Sequence, residues 1–303
     1  MVYEFAVDPG SISSVDRVRF LADNVGVPNG RLIAEYPGSW RRSIFEALNR
    51  LLPAQRARLE TQVQRLRPFL IPPHRAFDPQ RDWLTNAESV HQTKPFRAIL
   101  STANPRTHPE VLLIDDVDGS TPLWSAPHTV CVPRKAPQMS EAVRLLLELA
   151  AQVVFVDPHF DPCLPRYQRT FRRFVSCFAS SRSRTPPTLK IIIKARLGAA
   201  DGDPFENNCR YYLAPMISSP MNLQFIRASE RVGAATEKLH NRYILTDWGG
   251  VQFGVGLDDD DGQAGQTDDL SLLSKESFDL RWRQYALMEG FDVASSSLIQ
   301  GTA

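Results

Sequence analysis

Lys238-Leu-His-Asn-Arg-Tyr-Ile-Leu-Thr-Asp-Trp-Gly-Gly-Val-Gln-Phe-Gly-Val-Gly-Leu257, followed by four aspartates, Asp258 to Asp261, is the stretch whose reading decides the rest. Arg242 to Leu245 and Val251 to Val255 have the β-branched and aromatic make-up of strands, and Asp247-Trp-Gly-Gly between them is a turn. Side chains alternate along a strand, so His240 and Arg242 point the same way and Asn241 the other. An imidazole beside a guanidinium suits a phosphate. The guanidinium forks onto the oxygens, and the neutral imidazole is a nucleophile that can form a covalent intermediate with phosphorus. Asp247 lies beyond the strand end, where it holds local structure or pairs with a cation.

Outward from this stretch the chain reads as an α/β layered domain with a mixed sheet, residues 138–303. A helix after Ser140 carries Val143, Leu146, Leu147 and Ala150 on one face. Gln152 to Val156 is a buried strand ending in Asp157-Pro-His159-Phe-Asp161-Pro, and carboxyl ends of such strands are where open α/β sheets place their sites. The next helix has an apolar side of Leu164, Tyr167, Phe171, Phe174, Val175 and Phe178, and an outer face of Arg166, Arg169, Arg172 and Arg173. Leu189 to Lys194 is a second buried strand that delivers Lys194 and Arg196 to its end. These two bind a second phosphate or are simply surface cations. Asp157 and Asp161 are paired carboxylates or ordinary turn residues beside proline. Pro204 to Ala214 reads as a helix, Leu223 to Ile226 and Asp268 to Leu273 as strands, and Phe278, Trp282 and Tyr285 as the stripe of a closing helix.

Residues 1–137 read as a small α+β domain. Val2 to Val7, Phe96 to Ser101, Val111 to Ile114 and Trp124 to Val132 are its strands. Helices start after Ser14, after Ser39 and at Pro53. Pro68 to Pro95, rich in Pro, His, Arg and Asp, reads as loop, so His74, His91 and His108 are all expected in loops. The helices hold Arg41, Arg42, Arg50, Arg56, Arg58, Arg65 and Arg67, with Arg75 just after, against only Glu46 and Glu60. This is either a basic face for an anionic partner or a solvated face.

The bulk numbers bound these readings. A chain of 303 residues with 43% hydrophobic and 23% charged residues is long enough for two domains with real cores. A net charge of +1 confines any basic surface to a patch. Cys131, Cys163, Cys177 and Cys209 form no C-x-x-C pair and have no metal spacing to a histidine, so free thiols in a reducing cytoplasm are expected and no metal site. There is no signal-peptide pattern and no apolar run of membrane-spanning length. Laid on a calcium loop, Asp258 to Asp261 fails at the first ligand position, and a solvated acidic loop is expected.

The spacing His240-x-Arg242-x4-Asp247-x6-Gly254 is similar to the H-x-K-x4-D-x6-G-S-x-N signature of the phospholipase D superfamily. The resemblance covers roughly Ser140 to Phe291. It puts the nucleophile at His240, the phosphate-binding cation at Arg242 in place of lysine, the aspartate at Asp247 and the glycine at Gly254. Val255 and Leu257 stand where serine and asparagine normally support the phosphate. In this the chain is closer to a divergent branch, which includes the phospholipase D-like C-terminal domain of MIT-domain proteins, a membrane-binding module, and bacterial relatives associated with defence against phages. The resemblance implies a metal-independent phosphodiesterase without cofactor, acting through a phosphohistidine on nucleic acid or another phosphodiester. It also implies a homodimer in which a partner His240 is the general acid, unless His159 supplies that imidazole in cis. His159, Lys194, Arg196, Asp157 and Gly254 are the expected substrate-binding residues. The alternative is an inactive module that binds phospholipid headgroups at a membrane surface, binds nucleic acid, or docks a protein of a defence complex.

Overall fold

The computed structural model describes residues 1–49, 51–72, 74–180, 187–195, 204–231 and 238–303. The fold is mixed α/β with two sheets, and the chain divides into two compact units, Val2–Pro127 and His128–Ala303.

The first unit runs β1 (Tyr3–Val7), α1 (Val15–Asn24), β2 (Arg31–Ala34), α2 (Trp40–Leu48), α3 (Pro53–Leu66), β3 (Leu70–Ile71), α4 (Trp83–Thr93), β4 (Ile99–Ser101) and β5 (Val111–Leu113). Its five strands are all parallel, in the order β3-β2-β1-β4-β5. A wholly parallel sheet needs a crossover between successive strands, so this unit is α/β where the sequence reads as α+β. Period-two alternation sorts the core. Phe5 and Val7 face a cluster with Val18, Leu21, Trp40, Leu59 and Trp124, while Ala6 faces Tyr36, Leu84, Phe96 and Ile99. The buried Trp40 indole satisfies its N–H on the Val7 carbonyl at 2.6 Å. Helix α4 lies inside the stretch expected as loop and carries His91. Asp82 starts it by accepting the Thr85 N–H at 2.9 Å, and the Trp83 indole anchors it on the Tyr36 carbonyl at 2.9 Å.

The second unit runs β6 (Thr129–Pro133), α5 (Ala136–Leu149), β7 (Gln152–Val156), α6 (Pro165–Ala179), β8 (Thr188–Lys194), α7 (Pro204–Leu213), β9 (Asn222–Ser229), β10 (Arg242–Thr246), β11 (Gly249–Phe253), β12 (Thr267–Leu272), α8 (Lys275–Arg281) with a π turn at Trp282–Ala286, and β13 (Asp292–Gln300). Its eight-stranded mixed sheet has the order β13-β9-β8-β7-β10-β11-β12-β6. β7, β8 and β9 are parallel, and every other pairing is antiparallel. The division after Pro127 falls before the expected boundary at Pro137, because β6 pairs with β12. β13, serine-rich and largely exposed, has no apolar alternation that the sequence could have announced.

The sheet is covered on both sides. Phe155 and Phe253 meet Phe171 and Phe174 of α6, with Phe155 and Phe174 stacked at 5.8 Å. Val154, Val156, Tyr243 and Leu245 face Tyr285, Ala286 and Phe291 on the other side. Each fully buried phenylalanine here stabilises the layers by about 1.5–3 kcal/mol. Among the described residues no helix is long and apolar enough to cross a membrane.

Candidate functional site

Of the expected site residues, Asp157, His159, His240 and Arg242 lie where the carboxyl end of β7 meets the start of β10. The two strands are antiparallel, with Tyr243 opposite Val156 and Ile244 opposite Phe155. One step further in that register sets Arg242 level with Asp157.

His240 is exposed, and its Nδ1 lies 2.9 Å from the carbonyl of Lys238. A carbonyl only accepts, so the neutral ring carries its proton on Nδ1 and leaves the Nε2 lone pair available. Leu239, immediately before it, donates its N–H to Glu230 Oε1 at 3.1 Å, and Lys194 Nζ holds the same oxygen at 2.7 Å. Lys194 is therefore occupied by Glu230 and acts on the site by fixing the approach to His240. Its expected companion Arg196 lies outside the described residues.

Asp157 is only 1% exposed. Its Oδ1 accepts the His159 N–H at 2.9 Å, and its Oδ2 accepts the Leu257 N–H at 2.9 Å. Burial pushes this carboxyl above the usual aspartate range, while the two N–H groups and the nearby Arg242 guanidinium pull it down. The Tyr167 phenol, reaching in from α6, is likewise raised by burial first and by Asp157 and Asp258 second. The Arg242 Nε is buried and has no hydrogen-bond partner among the described residues. His159 is exposed on the turn after Asp157.

The loop from Gly254 to Leu257 is built with backbone groups where side chains were expected. Val255 donates its N–H to Asp268 Oδ1 at 3.0 Å and leaves its own side chain 46% exposed. Leu257 is fixed at both ends, its N–H on Asp157 and its carbonyl by the Thr170 hydroxyl at 2.5 Å. Two buried carboxylates, Asp157 and Asp268, thus brace this loop. Sequence reading missed Asp268, since nothing in its spacing links it to the motif.

Asp247 sits at the opposite end of β10 from His240. Its Oδ1 accepts the N–H groups of Ala151 and Gln152 at 2.9 and 3.0 Å, pinning the start of β7. That is the local structural role, remote from the histidine.

The acidic loop is a correction. Asp258, Asp259 and Asp260 are buried and ion-paired rather than solvated. Arg134 holds Asp258 at 2.7 Å and Arg166 holds it at 3.2 Å. Lys135 holds Asp260 at 2.7 Å. Arg169 takes both oxygens of Asp259 at 2.6 Å and reaches Asp261 at 2.8 Å. The outer face of α6 therefore spends Arg166 and Arg169 on this loop. Arg172 and Arg173 stay exposed, without an ion pair among the described residues, beside a cleft of about 650 Å³ that Lys135 and Asp260 also line. A larger hollow of about 880 Å³ lies at the amino ends of β7, β8 and β9, away from His240. Among the described residues no group of three or more His, Cys, Asp or Glu side chains is arranged to hold a metal ion. The Cys209 thiol, buried, is pushed up to about 12.

No family model and no curated protein matches the chain. Among solved structures, that of TrmBL2, described as an archaeal chromatin protein with a novel mode of DNA binding, aligns over 93% of this chain and 100% of its own. The identity is 13% and the TM-score 0.28, too low for the likeness to carry any argument.

Proposed function

We propose that the second unit is a phosphodiesterase of the phospholipase D type that cleaves nucleic acid through a phosphohistidine at His240, without a metal. The observation that carries this reading is the His240 Nδ1 contact with the Lys238 carbonyl, which leaves Nε2 free as a nucleophile two residues from the Arg242 guanidinium. His240 Nε2 attacks phosphorus, Arg242 offsets the charge gathering on the phosphoryl oxygens, and water later releases the bound phosphate. Nucleic acid fits the exposed arginines that make no ion pair among the described residues: Arg172 and Arg173 here, and Arg42, Arg58 and Arg67 in the first unit.

A second reading has its own observation. Asp157 already faces Arg242, and the N–H groups of Val255 and Leu257 are occupied by the chain's own carboxylates. A site so satisfied from within suits reversible binding of a phosphate without turnover. Labelled single- and double-stranded nucleic acid incubated in EDTA separates the two. Cleavage by the wild-type protein that disappears in His240→Ala supports the enzyme. Retention of the label with no cleavage by either protein supports the binding module and sinks the enzyme.

A further inference from the structure

The hollow of about 880 Å³ at the amino ends of β7, β8 and β9 lies away from His240. It opens where the cover on one face of the sheet stops. Ile192 of β8 pairs with Ile226 of β9, and both belong to the cluster under Tyr285 and Ala286. Two residues earlier on each strand the same face turns polar, with Lys190 opposite Gln224 and Gln224 opposite Leu298. Adjacent strands lie about 4.8 Å apart, so an ammonium, a carboxamide and an apolar side chain stand in a row across about 10 Å of sheet. Gln152 and Asn222 line the hollow one row nearer the strand starts. Two of these side chains are set in place. Lys190 Nζ donates one of its three hydrogens to the Ala286 carbonyl at 3.1 Å, which holds the ammonium at the rim of the cover. Gln224 Nε2 donates to the Ser296 hydroxyl at 3.2 Å, which orients its carboxamide.

Among the described residues that line the hollow, Lys190 is the only charged one. The cleft beside Arg172 differs, since four cations meet three aspartates there. One ammonium with no carboxylate beside it matches a ligand with one negative charge. Carboxamides donate and accept in a single plane, which suits the edge of a nucleobase. Pro220, Met221 and Leu298 offer apolar surface to its ring. The volume falls within the range of about 300–1,000 Å³ found for small-molecule sites. We infer that this hollow binds a mononucleotide carrying a single negative charge, with Lys190 at the phosphate and Gln224 at the base edge. The inference does not depend on the phosphodiesterase reading above.

The test measures binding to the full chain by calorimetry, with a series that varies the charge on each of the four bases. Nucleosides are neutral, nucleoside 3′,5′-cyclic monophosphates carry one negative charge, and nucleoside 5′-monophosphates carry close to two. For at least one base the cyclic ester is expected to bind tightest, about tenfold or more tighter than its nucleoside. Lys190→Met should weaken the cyclic ester by about tenfold or more and erase its advantage, whereas Lys190→Arg, which keeps the charge, should preserve it. Gln224→Leu should weaken nucleoside and cyclic ester alike, by about fivefold or more. His240→Gln should bind as the wild type does. Melting curves without ligand identify any variant that fails to fold, and the remaining variants then decide. No binding by any of the series, equal binding of nucleoside and cyclic ester, unchanged binding in a folded Lys190→Met, or loss of binding in His240→Gln overturns the inference. A protein that binds the cyclic ester here and cleaves no nucleic acid leaves it standing and sinks the phosphodiesterase reading alone.

Discussion

Gly254 has no side chain because Asp268 occupies the space. A Cβ there would stand 2.9 Å from Asp268 Oδ1 and 3.4 Å from the Asp269 carbonyl oxygen. The same Oδ1 receives the Val255 N–H, so displacing the carboxylate also releases the loop beside His240. Gly254→Ala is expected to destabilise the protein by about 1–3 kcal/mol, the ordinary cost of overpacking a site that cannot expand. Urea unfolding measures it, and a midpoint equal to that of the wild type would show that Asp268 moves aside freely. The motif spacing pointed to Gly254 without giving this reason, since the carboxylate that demands a glycine comes from the neighbouring strand. Asp247 was legible in the same partial way. Its position past a strand end left it either holding structure or pairing with a cation, and the motif spacing set it among the catalytic residues; it instead accepts the Ala151 and Gln152 N–H groups at the start of β7.

At the scale of elements, the apolar runs were readable and the charged partners were not. β7, β8, β10, β11, α5 and α6 announce themselves by periodicity, because burial on one or both faces fixes which positions are apolar. The clamp on the acidic loop cannot be seen that way: Arg134 and Asp258 lie 124 positions apart, and Arg169 and Asp259 lie 90 apart. The arginine stripe on α6 consequently looked like one basic face when it is two kinds of residue. Arg169→Met should destabilise the protein by roughly 1–3 kcal/mol, since it leaves the buried Asp259 without its bidentate partner, whereas Arg172→Met should change stability by less than about 0.5 kcal/mol. Equal effects would mean that the loop is held by backbone alone. The loop also sets a pH dependence. The hydrogen bond from Lys135 holds the Asp260 carboxyl below its ordinary value of 3.8, with burial opposing it. A folded pKa below the unfolded one gives stability that is fully present above the unfolded pKa and lost as pH falls through the folded one. The melting temperature of Lys135→Met should therefore lie below that of the wild type by a constant amount from pH 7 to about pH 5, with the gap closing as the pH drops below 3.8. A gap that persists unchanged into acid would remove Asp260 from the explanation.

Over the whole molecule, each unit owns its core. The clusters around Trp40 and Tyr36 draw only on residues before Pro127, and the cluster around Tyr243 and Tyr285 only on residues after it. A chain of residues 128–303 is therefore expected to fold alone with a single cooperative transition, and on the proposed reading it keeps the His240 site. What it loses is any phosphate contact made by Arg42, Arg58 and Arg67. Each phosphate neutralised on a duplex contributes about −0.9 to the slope of log K against log salt, so three such contacts amount to a slope change of roughly 3. Duplex binding measured across a salt series, with full chain and fragment compared, decides between the two readings of the arginine-rich helices. A shallower slope for the fragment makes them part of the nucleic-acid surface. Equal slopes make them a solvated helix face, and leave Arg172 and Arg173 as the basic residues of the second unit to be tested next by the same measurement.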